Sequence, residues 1–469
     1  MTHFSIFENF GHSLKAQAHR IEARSVEDVE RAFRLARQYG LTVTARGAGR
    51  SYNDAAMNGG GMVLDFSAMN RISEWDPKTG LVRCEPGVTI RQLWEHVLPD
   101  GWWPPVVSGT MTTTLGGCLA ANIHGKNNFH MGTIGEHVVE FTALLPCGNL
   151  VTCSPQQNAE LFYAMIGGYG LLGVFLTITL QMKRVFSGLL EVHAWPTSTL
   201  ADHLKSLEDH APDFDYIVGW LDCITIGHGQ IHAARHLHDG EDPAPQQTLS
   251  LAYQTLPSRL FGVIPKRPLH VLIRPFMNNL GIWGINTAKY LVSLRRHVFR
   301  QSHAAFHFLL DYVPKWELAY GSGGLIQYQS LLPKETALPV WTEMLALAKR
   351  HGVPPYLGVT KRHRPDPFLL SHAVDGFSLA MDFKVTEARR RRLWQVLQDF
   401  DRIGLEAGGR FYFVKNSETT AETARAFYGK ERLLKFKQLK QRCDPDGILQ
   451  SDLYRRIFGP ALASLDGQG

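Results

Sequence analysis

The 469-residue chain has little cysteine, no long apolar run and no block of one charge, and each lack removes a class of protein. Its six cysteines form no C-x-x-C pair and no regular spacing. That argues against a zinc ribbon or a disulfide framework and predicts reduced, mostly buried thiols. No metal centre is expected. The longest strongly apolar run, Gly170 to Leu180, is interrupted by Thr177 and Thr179. It falls short of the about 18–20 residues of a membrane span. The stretch MTHFSIFENFGHSLKAQAHR lacks the apolar centre of a secretory signal. We therefore expect a cytoplasmic protein, either soluble or peripheral at the inner membrane face. The net charge of +6 favours anionic ligands only weakly and comes with no long basic stripe, so no nucleic acid is expected. The tetrad Arg389 to Arg392 lies inside a helical run, Thr386 to Ile403, and reads as a solvated helix face.

Glycine, by contrast, is plentiful. The 43 glycines cluster around residues 47–61, 109–135, 167–173 and 321–324, a pattern of close backbone turns around one ligand. With 44% hydrophobic and 20% charged residues, the chain has the composition of a folded enzyme of two or more cores. The segment TARGAGRSYNDAAMN, Thr44 to Asn58, follows a short β-type run and places Gly47 and Gly49 around a tight turn. Such glycines let backbone N–H groups approach an anion, and Ser51 and Asn53 add side-chain hydrogen bonds. The spacing is G-x-G without the third glycine of a dinucleotide fingerprint. The next strand-like run, Met62 to Phe66, begins too soon for a crossover helix. Asp65 sits where a ribose-binding acid would end a second Rossmann strand, but the connecting unit is missing. The loop therefore reads as a diphosphate holder outside a Rossmann fold.

The remaining pattern is mixed helix and strand. Ser25 to Tyr39 reads as an amphipathic helix capped by Ser25, with Asp28 three residues on, and closed by Gly40. Short strands are expected at Thr42–Ala45, Met62–Asp65 and Leu81–Cys84, with a helix at Thr89–Val97. A hairpin is expected from Val138–Leu145 and Leu150–Cys153, and a strand at Val174–Met182. Gln327 and Gln329 share one face of an alternating run, suited to hydroxyls or a phosphate. Tyr412 to Lys415 reads as another alternating run, with Phe413 and Lys415 on one face.

The segments ARGAGRSYND (45–54), GTMTTTLGGCLAANIHGKNN (109–128) and GGYGLLGV (167–174) together resemble the FAD domain of the vanillyl-alcohol oxidase, PCMH-type, superfamily. Within it the chain is most similar to the decaprenylphosphoryl-β-D-ribose oxidase family, the flavin half of a ribose-to-arabinose epimerase serving cell-wall arabinan. AYGSGGLIQYQ (319–329), YLGVTKRHRP (356–365), GFSLAMDF (376–383), GGRFYFVKNSETTAE (408–422) and CDPDGILQSDLYRRI (443–457) extend the likeness along the chain.

The resemblance implies an α+β, two-domain flavoprotein: an FAD-binding domain of two small α/β subdomains over residues 1–185, and a substrate domain on an antiparallel sheet over 186–405. A mobile lid is expected within 235–300, and residues 406–469 would return to the active site. It places the FAD pyrophosphate on Arg46, Gly47, Ala48, Gly49, Arg50, Ser51, Tyr52 and Asn53. Ser108, Gly109, Thr110 and Thr113 would surround the ribityl chain and ring, as would Gly116, Gly117, Asn122, His124 and Gly125. Gly170, Gly173, Val174 and Tyr412 would lie near the ring and adenine. Relatives with loop-linked FAD carry a histidine where Arg50 stands, so non-covalent FAD is expected.

The implied reaction oxidises the 2-hydroxyl of a polyprenyl-phosphoryl-β-D-ribose to a 2-keto product by hydride transfer to flavin N5. An NAD(P)H-dependent short-chain reductase would complete the epimerisation. Lys415 leads as the group meeting the hydroxyl, with Tyr52 and His124 as alternative proton acceptors. Lys126, Tyr320 and Lys361 would join Gln327 and Gln329 around the substrate. Ser378 and Ala380 are departures, standing where relatives carry an amide and a cysteine. The segment 257–292 interleaves apolar residues with Arg259, Lys266, Arg267 and Arg274, as either a packed cap or a membrane-resting lid. An aldonolactone or free-carbohydrate oxidase, a sterol-type double-bond reductase, and a flavin-free binding protein are the competing readings.

Overall fold

A computed structural model describes residues 3–260 and 264–465, so Phe261 to Val263 of the expected lid lie outside the described residues. The fold is α+β, on three main sheets. The first is built by residues 3–65: His3–Glu8 pairs antiparallel with Lys15–Glu22, which runs parallel to Met62–Asp65, itself parallel to Val43–Arg46. The helix Val26–Tyr39 crosses between the second strand and the strand at Val43. Its apolar positions Val29, Ala32, Phe33 and Ala36 recur at helical spacing and are buried. Gly40 closes it in the left-handed region at φ 62. The expected cap box does not form: the Ser25 side chain makes no cap bond, and the Asp28 carboxylate accepts instead from the N–H of Arg24, one residue before the cap, at 2.9 Å.

Val43–Arg46 and Met62–Asp65 are parallel neighbours without a crossover helix, joined by the glycine loop itself. The loop must leave the sheet and return, and that excursion carries it past the cavity described below.

The second sheet is antiparallel, ordered Ile72–Asp76, Leu81–Cys84, Val174–Gln181, Val138–Leu144 and Leu150–Cys153. In the central strand Leu176, Ile178 and Leu180 are buried, while Thr177 and Thr179 turn to the other face. Thr177 bonds Thr142 across the pair at 2.7 Å. The threonines that break the apolar run thus mark a strand with two different faces.

The third sheet has eight antiparallel strands, in the order His297–Ser302, Leu189–Thr197, Gly229–His236, Tyr216–Leu221, Leu357–His363, Gly376–Lys384, Leu325–Pro333 and Arg410–Phe411. Helices Leu200–His210, Lys334–Arg350 and Glu387–Glu406 pack on it, burying Trp341, Phe400 and Tyr328. At the two ends of the expected lid, residues 235–236 and 297–300 belong to strands of this sheet.

The long helix Ala421–Cys443, broken at Gly429 (φ 76), leads the chain back to the first sheet. There Val43 N–H donates to Ile448 O at 2.6 Å, and Gln450 N–H to Val43 O at 3.0 Å. All six cysteines are free, five of them buried.

Candidate active site

The glycine loop, the segment 108–124 and the turn 412–415 border a cavity whose empty space, open solvent included, is about 1110 Å³. A second cavity of about 440 Å³ adjoins it, reaching Gly170, Gly173 and Val174. Both touch Ala45, Gly47, Thr114, Gly117, Ala120 and Tyr169, so they form one elongated channel lined largely by small residues. Two glycines are fixed there by geometry. Gly49 has φ 64, and a Cβ on Gly47 would lie 1.9 Å from Thr114 Oγ1. A long, narrow space with a backbone-lined turn fits a dinucleotide such as FAD.

The expected cofactor residues divide three ways. Gly47 to Tyr52, Ser108, Gly109, Thr110, Thr113, Gly117, His124 and Tyr412 line the larger cavity. Gly116, Gly170, Gly173 and Val174 line the smaller one, as does Arg46. The Arg46 guanidinium, however, donates to Ala56 O at 2.8 Å and Glu8 O at 2.9 Å, bracing the loop from behind. Asn53, Asn122 and Gly125 line neither cavity. Asn53 donates to Phe413 O, tying the loop to the Lys415 turn, and Asn122 accepts from the Gly135 N–H at 3.1 Å. Their roles are to shape the walls.

At the far end of the larger cavity stand Lys361 and Lys415. The alternation expected for residues 412–415 is not found. The strand ends at Phe411, and Lys415 N–H closes a turn on Tyr412 O at 2.9 Å. Phe413 packs against Phe427, Tyr428 and Phe458 in the core, whereas Lys415 faces the cavity. A turn rotates successive side chains by less than a strand does, so the apolar anchor and the lysine point apart.

The two glutamines do share a face, and both are buried. Lys415 Nζ donates to Gln327 Oε1, and Gln327 Nε2 donates to Asp382 Oδ1 at 2.5 Å. Gln329 Nε2 donates to His124 Nε2 at 3.1 Å, which leaves Nδ1 to donate to His372 Nε2, also at 3.1 Å. His363 stands edge-on to His124 and bonds Ser378 Oγ at 2.8 Å. Ser378 is therefore occupied behind the histidines, and Ala380 faces Gln329 across the strand pair. Tyr320 lies in an aromatic cluster with Tyr52, Phe10 and Tyr356 rather than in the cavity wall. Lys126 is likewise set back, its ammonium donating to Phe306 O and lying 4.3 Å from that ring.

Burial dominates the electrostatics. It pushes Lys415 down to about 8 against the opposing pull of Asp382, and Lys361 down to about 7 with Lys415 adding to the effect. Lys126 falls to about 7 for the same reason. Burial also holds His124 well below its usual value, so the ring is neutral. The Tyr52 phenol is pushed well above its usual value, again by burial. Asp382 is raised to about 6 by burial, partly offset by its bond from Gln327. None of these lysines has a carboxylate within ion-pair distance among the described residues.

Sequence reasoning missed Asp382, His363, His372 and Asp311. Asp382 was legible in principle, since GFSLAMDF alternates and its strand pairs directly with Gln327. Asp311 was not: it reaches the cofactor loop from 200 positions away, accepting from Thr110 Oγ1 and Met111 N–H, each at 2.7 Å.

Known proteins resemble this chain in sequence. The FAD binding domain family matches residues 18–154. The chain is 32% identical over 441 residues to decaprenylphosphoryl-β-D-ribose oxidase of Mycolicibacterium smegmatis, covering 92% of each chain. It is also 32% identical to mouse L-gulonolactone oxidase, over 92% of this chain and 93% of that one. The glycine-lined channel, the match to the FAD domain and the end-to-end likeness to these oxidases place the chain in the PCMH-type family of FAD-dependent oxidoreductases.

Proposed function

We propose that the protein oxidises the 2-hydroxyl of a polyprenyl-phosphoryl-β-D-ribose to a 2-keto product, as the first half of a two-enzyme epimerisation completed by a separate NAD(P)H-dependent reductase. The observation that carries this reading is Lys361, a buried lysine on the cavity wall with no carboxylate within ion-pair distance among the described residues. Uncompensated cations are costly in a low-dielectric site unless an anion arrives. A sugar phosphodiester supplies that anion, and a neutral lactone does not. We read residues 1–185 as the cofactor half, 186–405 as the substrate half and 406–469 as the segment that brings Lys415 back to both. A substrate with a polyprenyl tail is presented at a bilayer, so the protein works as a peripheral membrane protein.

FAD, when bound, accepts the two electrons given up by the carbinol carbon. Lys415 is the base that takes the hydroxyl proton. With its value lowered to about 8, a useful fraction of its amine is neutral near pH 7, and Gln327 holds that amine in place. Tyr52 stays a phenol, and both ring nitrogens of His124 are engaged by Gln329 and His372. Lys361 takes the phosphate. Arg50 in the glycine loop and the engaged His124 both favour non-covalent FAD, which acid denaturation would release into the supernatant.

The second reading, an aldonolactone oxidase, is favoured by the equally long match to L-gulonolactone oxidase. Anaerobic mixing separates the two. Farnesylphosphoryl-ribose should bleach the flavin absorbance, while free pentoses and aldonolactones should not. Bleaching by an aldonolactone alone would overturn the assignment.

A further inference from the structure

The helix Asn279–Val292 turns polar side chains to the protein along with Ile282: Asn286 donates to Asp222 Oδ1 at 2.8 Å, the partly solvated Lys289 lies 4.0 Å from the Trp220 ring centre, and Tyr290 stacks on His228 at 4.0 Å. Its outer side carries Leu280 (75% exposed), Trp283, Ile285, Leu291 and Val292 (81% exposed). Val271, Leu272, Phe276 and Leu294 extend the same apolar surface. A helix resting on a globular protein in water shows the opposite arrangement. Exposed apolar surface on this scale marks an interaction site.

The charge of the segment selects the partner. Between residues 243 and 310 there is no Asp or Glu, and there are eight Lys and Arg, more than the net +6 of the entire chain. Arg267, Arg274, Arg295, Arg296 and Arg300 are all exposed. Apolar side chains ringed by arginines, with no acidic residue among them, match an anionic lipid surface, where the apolar groups enter the headgroup boundary and the arginines meet phosphates. A second copy would bring like charges together. No helix among the described residues is long and apolar enough to cross a membrane, which leaves an orientation in the plane of the interface.

We propose that the helix Asn279–Val292 and the strand His297–Ser302 dock the protein on an anionic bilayer surface and present the cavity to substrate held there. The inner side of the helix joins this surface to the site. Ile282 packs in one cluster with Met277, Tyr320 and Tyr52, and Tyr52 lines the cavity. The purpose of this docking rests on the lipid-linked-sugar reading, but the docking itself does not.

Co-sedimentation of the FAD-loaded full chain with vesicles tests it, with no substrate present. Binding is expected to vesicles of phosphatidylcholine with phosphatidylglycerol, to weaken as salt rises, and to be absent for phosphatidylcholine alone. R267Q/R295Q should weaken binding roughly 25-fold, at about fivefold for each arginine lost. L280S/W283S/V292S should abolish it. Both variants should keep wild-type flavin content and thermal unfolding. Equal binding to neutral and anionic vesicles, or binding to neither, overturns the proposal. So does a lipid-free dimer that L280S/W283S/V292S dissociates, which would assign the surface to a second copy. The two readings fail separately: flavin bleached by lipid-linked sugar without vesicle binding removes only the docking. Vesicle binding without such bleaching removes only the substrate.

Discussion

The two ends of the cavity are built by opposite means. At the cofactor end the wall is mostly backbone and small side chains, supplied by a few continuous stretches around residues 46–52, 108–117 and 170–174. At the substrate end the wall carries the long polar side chains Lys361, Lys415 and His124, the last held from behind by Gln329, 205 positions away. The first end is defined by shape and the second by charge. The cofactor end should therefore fail when volume is added and the substrate end when charge or proton affinity is changed, each leaving the other intact.

The largest effect is expected at Lys415. K415M should lower kcat by about 10²–10⁴-fold, the range for a lost general base, while the purified protein keeps its flavin. K415R is the sharper test, because arginine keeps the positive charge and gives up no proton near neutrality. A base role predicts that it is as inactive as K415M. Substantial kcat in K415R would recast the lysine as an anion holder.

The reverse experiment is G47V. Its Cβ would meet Thr114 Oγ1 at 1.9 Å, so the loop must shift. Overpacking of this kind costs about 1–3 kcal/mol, or about 5–150-fold in FAD affinity. Titration of stripped protein with FAD measures it. Flavin affinity matching the wild type would show that the loop adjusts freely and would remove the claim that this end is set by shape.

This division also explains what could be read from the sequence. The glycine loop, the segment 109–128 and most short strands were legible because local chain geometry and a continuous motif determine them. Leu81–Cys84 and the helix following Thr89 appear where the pattern placed them. The substrate end was legible only where alternation signalled a shared face, as for Gln327 and Gln329. Lys415 illustrates the limit: a strand was expected to carry it, whereas a turn delivers it to the cavity wall. Neither Asp311 nor the placing of His363 and His372 beside His124 has a local signal, since tertiary packing alone assembles them. Lys126 and Tyr320 lie one layer back from the cavity for the same reason.

A smaller, graded effect should appear in the pH dependence of flavin reduction. Lys415 must be neutral to accept a proton, so the rate should rise with pH and level off above about 8. Lys361 must be charged to hold phosphate, so substrate affinity should fall as pH passes through about 7, unless the bound phosphate raises that value. K361M should remove the second dependence and keep the first. A K361M enzyme whose substrate affinity still falls with pH would shift the anion-binding role to another group.

The smallest effect concerns charge beside the site but outside the cavity. Asp401, on the helix Glu387–Glu406, and Glu418, three residues beyond Lys415, are both buried. Burial pushes Asp401 up to about 7, and burial together with Asp401 pushes Glu418 well above its usual value. The folded state thus keeps protons that the unfolded chain releases near about pH 4. Stability from this source is fully present below the unfolded value and is lost as pH rises through about 7. Asp401→Asn keeps the shape and cannot ionise, so it should not share that loss. Calorimetry of both proteins should show the variant gaining on the wild type between pH 5 and pH 8, by about 1–2 kcal/mol at the upper end. Its kcat should change little, because Asn53 and Asn416 still tie the Lys415 turn to the loop and to Gln329. Parallel stability curves would show the carboxyl ionised at both pH values. A large loss of kcat at unchanged stability would mean that charge defines the substrate end well beyond the groups lining its wall.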